Sequence, residues 1–171
     1  MKTTAGPAKP LRRAFLAVPL AGAAALAPRP GWTATRRVPF DRAAYDRYVR
    51  LMNAGDLRFI DYYAEDIQFV MQIRGKARVL DFYTRQRPYV NERLEVLFFC
   101  SDATGAAAEL HSELRCIKDC ADKTIFGRAL KAGEAQRTHG YLLYVLNAQG
   151  RIAEIKAPPP EILQPWRIEA A

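Results

Sequence analysis

Cysteine and histidine are scarce in this chain of 171 residues, which has three of the first and two of the second. Cys100, Cys116 and Cys120 are too few for a disulfide framework, and their spacing with so few histidines does not make a zinc site, so no metal is expected. An oxidising compartment would permit one bridge between Cys116 and Cys120 if the chain between them turns; Cys100 ends a strand and is expected in the core, and buried free thiols are the default. A glycine-rich phosphate loop and a nucleophile elbow are both missing, which removes two common signatures of nucleotide and serine-hydrolase chemistry. No cofactor is expected. Long apolar runs are missing too: the uncharged stretch 14–27 is too short to span a bilayer as a helix, so no stable membrane span is expected. Acidic residues are absent from positions 1–40, which hold seven of the 26 Lys and Arg; the remaining 19 face 18 Asp and Glu, so the formal charge of +8 belongs to the N-terminus. The near-neutral remainder has no electrostatic case for nucleic acid.

That N-terminus reads as a targeting segment. Lys2, Lys9, Arg12 and Arg13 precede the uncharged run, and Arg12-Arg13-Ala14-Phe15-Leu16 resembles the twin-arginine motif for export of folded proteins to the periplasm or beyond. Ala25-Leu26-Ala27 offers small residues for cleavage, with Pro28 a poor neighbour. A mitochondrial presequence is the main rival, against which Pro19 and Gly22 interrupt an amphipathic helix; a retained tail on a cytoplasmic protein is the plain alternative. The expected organisation is a leader and linker over 1–37, one domain over 38–165 and a tail over 166–171. Half the residues are hydrophobic, enough for one domain with a sizeable core.

The domain is organised around residues 41–71. Asp41 is placed to cap a helix on which Ala44, Tyr45, Tyr48, Leu51 and Met52 recur at three- and four-residue spacing. Gly55 suits the positive φ of a helix stop, and Asp56 can cap a second short helix with Leu57, Ile60 and Tyr63. Ile67-Gln68-Phe69-Val70-Met71 then reads as a buried strand. Val79, Leu80, Phe82 and Tyr83 mark a third helix, which Pro88 stops. Strands follow over 91–100, with Leu94, Val96, Phe98 and Cys100 on one side, and over 106–118. Residues 119–134 read as a connection with some local order. A long strand over 134–146, a hairpin turn at 147–150 and a closing strand over 151–157 complete the pattern, and Pro158-Pro159-Pro160 is expected to end the sheet. Leu163, Pro165 and Trp166 then either cover one mouth of the domain or form a loose tail.

The run Tyr48-Val49-Arg50-Leu51-Met52-Asn53-Ala54-Gly55-Asp56, followed by Tyr63-Ala64-Glu65-Asp66, resembles the nuclear transport factor 2-like superfamily. The resemblance continues through Gly75 and Asp81-Phe82-Tyr83 and reaches Asn147-Ala148-Gln149-Gly150-Arg151-Ile152; within the superfamily the chain is similar to SnoaL-like polyketide cyclases and ketosteroid isomerases. It implies an α+β fold, a cone-shaped curved antiparallel sheet wrapped around three N-terminal helices, with one apolar central pocket and homodimers formed through the outer sheet face. The superfamily hosts isomerases, cyclases, dehydratases, hydrolases and plain binding modules, so fold alone does not choose the chemistry.

Strand 109–117 alternates Leu110, Ser112, Leu114 and Cys116 with Glu109, His111, Glu113 and Arg115. The plain reading sends the charged face to solvent or to a subunit interface. Alignment with the ketosteroid isomerase pattern instead turns His111, Glu113 and Arg115 toward the pocket, with His111 and Glu113 roughly 6 to 7 Å apart as an acid–base pair. By the same resemblance Tyr48 matches an oxyanion donor and Tyr83 a supporting tyrosine, although aromatics on a buried helix stripe usually pack the core. The family's base falls on Met71 and its protonated acid near Leu142, so a ketosteroid isomerase mechanism is not implied. Thr138, Gly140, Leu142 and Tyr144 are expected to face the pocket, and His139 to lie outside it. The functional expectation is a cofactor-independent isomerase, cyclase or dehydratase acting on a small, fairly apolar oxygenated compound, or a non-catalytic small-molecule-binding or dimerisation module of the same fold.

Overall fold

The computed structural model describes residues 39–169, and the stretch read from the sequence as a targeting leader lies outside them. α1, Arg42–Asn53, starts where Asp41 accepts from the Ala44 amide at 2.8 Å and buries Ala44, Tyr45, Tyr48, Val49 and Met52. Its stop is Gly55 at φ +70°, a region that a side chain would strain. Asp56 then caps a 3-10 turn, Leu57–Tyr62, through the Arg58 amide, and this turn seats Phe59 and Ile60 in the core. β1 is Tyr63–Gln68, earlier than the sequence pattern indicates. At Val70–Gln72 the chain leaves the strand direction, with Met71 at φ 58° and Gln72 at φ 61°. α2, Lys76–Gln86, ends ahead of Pro88 and buries Val79 and Tyr83.

The sheet continues with β2 (Val90–Ser101), β3 (Gly105–Cys116), β4 (Glu134–Leu146), β5 (Ile152–Lys156) and β6 (Glu161–Ile168). It is curved and unclosed, and its order is β1-β5-β4-β3-β2, with β6 also on β4. All pairs are antiparallel except β1 with β5, which is parallel. The chain crosses closely at Gly105, where a Cβ would stand 2.5 Å from the Tyr144 carbonyl oxygen. The helices lie on one face of the sheet, where Tyr45, Phe59, Tyr63, Ile67, Val79 and Tyr144 pack the core. Stacking of Tyr45 on Phe99, ring centroids 4.3 Å apart, ties α1 to β2. No helix among the described residues is long and apolar enough to cross a membrane.

Two expectations about the strands are corrected. Pro158-Pro159-Pro160 does not end the sheet: it carries the chain to β6, which pairs with Glu134–His139 of β4 while β5 pairs with Leu143–Leu146. Pro165 is tolerated there because β6 is an edge strand with register shifts around it. On β2, a bulge between Val96 and Phe98 advances the alternation by one residue. Leu94, Val96 and Phe99 therefore meet the core, while Phe98 and Cys100 are exposed. Cys116 and Cys120 are buried free thiols in a small second cluster with Val90 and Leu130, flanked by Phe126 of the one-turn helix α3 (Lys123–Phe126) and by Trp166 of β6.

Candidate functional site

Between the helices and the inner sheet face lies a cavity of about 500 Å³. α1 contributes Tyr48 and Met52 to its wall, α2 contributes Tyr83, and the positive-φ turn contributes Met71. The sheet supplies Glu92 and Leu94 from β2, Leu110, Ser112 and Leu114 from β3, and Thr138, Leu142 and Tyr144 from β4, with Pro158–Pro160 closing one side. Tyr48, Tyr83, Met71, Leu142 and Tyr144 stand in the cavity wall.

His111, Glu113 and Arg115 do not. The alternation read for β3 is correct, and its faces follow the plain reading and not the alignment: Ala108 and Leu110 are buried against the helices, and His111, Glu113 and Arg115 project from the other face. The physical reason is that the helices offer apolar stripes; pressing a His-Glu-Arg ladder against them would strip its charges of water without partners. On the outer face those charges find partners. Glu113 accepts from Arg137 at 2.8 Å and from Arg115 at 3.2 Å, and His111 Nδ1 lies 3.6 Å from Glu95. Hydrogen bonding from Arg137 holds the Glu113 carboxyl below its ordinary value, the opposite of what an acid–base group near neutrality needs. His139 is the direct cross-strand partner of His111 and shares its face, ring centroids 5.4 Å apart. It bonds Glu109 at 2.8 Å, which raises its pKa.

The ionisable group that the fold does bring to the cavity is Glu92. Its side chain is 15% exposed, and its Oε2 is buried with no hydrogen-bond partner among the described residues. The nearest cation is Arg87, whose Nη2 stands 3.9 Å away and donates to the Met52 carbonyl at 2.9 Å, and whose guanidinium carbon Cζ lies over the Tyr83 ring. Burial raises the Glu92 pKa and Arg87 partly offsets this. Burial likewise holds Tyr48, Tyr83 and Tyr144 well above the ordinary phenol value, so all three remain protonated donors at neutral pH. The Tyr48 hydroxyl is fixed by the Tyr63 hydroxyl at 2.7 Å, and that of Tyr144 by Tyr45 at 3.4 Å. A signal for Glu92 was present in the sequence: it is the one carboxyl on the alternating face Val90, Glu92, Leu94, Val96, where every neighbour is apolar. Together these groups form an apolar chamber with one carboxyl and several phenols, equipped to bind an oxygenated compound and exchange a proton with it. No cluster of three or more His, Cys, Asp or Glu among the described residues is placed to hold a metal ion.

No family model matches the chain, and no curated protein is significantly similar to it. Solved structures are. A Pseudomonas putida protein provisionally named a polyketide cyclase shares 22% identity at a TM-score of 0.56, over 67% of this chain and 87% of that one. A Δ5-3-ketosteroid isomerase from Mycobacterium sp. shares 20% at 0.53, over 68% and 90%. An LEH-like epoxide hydrolase from Mycobacterium tuberculosis shares 14% at 0.52, over 67% and 78%.

Proposed function

From a chain with the nuclear transport factor 2-like (SnoaL-like) fold, we propose a cofactor-independent proton-transfer enzyme of the isomerase, cyclase or dehydratase kind, acting on a small, fairly apolar oxygenated compound in the cavity. The observation that carries this reading is the Glu92 carboxyl, buried in an apolar wall beside Arg87 and sharing that wall with Tyr48 and Tyr83. Glu92 takes a proton from carbon next to a carbonyl and returns it elsewhere on the bound compound. Tyr48 and Tyr83 donate to the oxygen on which negative charge develops. The apolar walls exclude water and strengthen those hydrogen bonds. The solved relatives named above include an isomerase and a hydrolase, which supports catalysis as the working class.

The test needs no natural substrate. Incubation with small cyclic ketones in deuterium oxide, followed by mass spectrometry, reads catalysed exchange of protons next to the carbonyl. Glu92→Gln is expected to lower it by about 10² or more, the usual scale for an acid–base group. Wild-type protein that exchanges no faster than buffer, or a variant equal to wild type, sinks the proposal. A binding module without turnover is the second reading, favoured by the outward placement of His111, Glu113 and Arg115; it predicts saturable ligand binding with no exchange. A homodimer belongs to either reading, supported by the exposed Phe98, Tyr141 and Leu143 on the outer sheet face. Light scattering that finds only monomer removes it. Export of the chain is proposed from its basic leader, and the intact mass of protein from the native host decides it.

A further inference from the structure

Ser112 and Thr138 are direct cross-strand partners, and both stand in the cavity wall. Their surroundings are apolar: Leu110 and Leu114 flank Ser112 along β3, and Gly140 and Leu142 follow Thr138 along β4. Neither hydroxyl makes a hydrogen bond to another described residue, so the pair is a polar island in a hydrophobic floor. Glu92 also lines this cavity and brings its own unpartnered, buried Oε2. Because Glu92 pairs with Leu114, strand rise and spacing put the Ser112 backbone about 8 Å and the Thr138 backbone about 12 Å from that of Glu92. One small functional group does not reach both places.

We infer that the Ser112–Thr138 pair is a second polar subsite of the cavity, and that it selects compounds carrying a further hydroxyl or carbonyl oxygen across a rigid apolar frame from the group that faces Glu92. This rests on the reading of the cavity as the site of action and deepens it: the substrate class becomes bifunctional, oxygenated toward both ends and apolar between. Both residues are half-buried and their hydroxyls open onto the cavity, so an apolar ligand that fills it strips them of water, and a hydroxyl left against hydrocarbon without a partner is costly. A ligand oxygen over the pair satisfies two such groups at once, whereas a hydrocarbon there satisfies neither.

The experiment is isothermal titration calorimetry with two probes that differ by one hydroxyl, 4-phenylphenol and 4,4′-dihydroxybiphenyl. The diol is the more polar of the two, so an extra hydroxyl left against an apolar wall weakens its binding. On the native protein the diol is expected to bind about threefold to tenfold tighter, the range of one neutral hydrogen bond. In Ser112→Ala/Thr138→Val, whose fold is checked by circular dichroism, the ratio is expected to fall to about one or below, with 4-phenylphenol itself held within about twofold. Equal affinities on the native protein, a preference that survives in the double variant, or no binding of either probe overturns the assignment. Glu92→Gln separates this inference from the catalytic one. A diol preference retained in that variant without any ketone exchange by wild type leaves the subsite standing and the enzyme reading fallen. Exchange with no diol preference does the reverse.

Discussion

Glu92 Oε2 stands 3.9 Å from Arg87 Nη2, beyond hydrogen-bond reach but close enough for the cation to oppose the effect of burial on the carboxyl. Arg87→Met removes that opposition, so the Glu92 pKa is expected to move further up. Carbon-13 NMR of labelled glutamate, with Glu92→Gln to assign the signal, reads both values directly. Catalysed ketone exchange in Arg87→Met is expected to acquire an acid limb at higher pH than wild type. A Glu92 signal that stays put, or moves down, contradicts the pairing.

Tyr48 and Tyr63 share a buried hydrogen bond of 2.7 Å. Tyr48→Phe keeps the ring packing and strands the Tyr63 hydroxyl, at an expected cost of about 1–3 kcal/mol in urea denaturation. Tyr63→Phe placed on top is expected to recover part of that loss, since both ends of the bond are then gone. Strictly additive losses would show that the two hydroxyls are not coupled.

The orientation of β3 is testable without any ligand. Leu110→Ala removes a buried side chain and is expected to cost about 2–5 kcal/mol, whereas His111→Ala, on the outer face, stays within about 0.5 kcal/mol. The same face holds His139, and His111 is 42% exposed, so diethyl pyrocarbonate is expected to modify His111 with no protection from cavity ligands. The reverse order of costs would turn the strand over.

Glu113 supplies a pH dependence with a definite sign. Its folded pKa lies below the ordinary value of 4.5, chiefly because Arg137 donates to it, so its stabilisation is complete above that value and is lost as pH falls through the folded one. Wild type is therefore expected to exceed Glu113→Gln in thermal stability at neutral pH and to converge on it in acid. Salt should narrow the gap, because the pair is partly exposed. A gap that widens on acidification contradicts the assignment.

The sequence by itself determined the helical half of this protein. Asp41, Gly55, Asp56 and Pro88 act on the chain within a few residues of themselves, and local chemistry is visible along one dimension. It also determined that β3 has two unlike faces, because strand alternation is a local property. Which face turns inward was decided only when β3 found β2 and β4, since that choice depends on what the helices present across the core. The Val96–Phe98 bulge shifts the remaining alternation of β2, and β6 takes the stretch of β4 that β5 leaves unpaired. Neither event has a strong local signal. Glu92 became the candidate acid–base group for the same reason: Arg87 and Tyr83 are near it in the chain, but the burial that raises its pKa and the phenols of Tyr48 and Tyr144 come from distant residues, which only the tertiary structure gathers around one cavity.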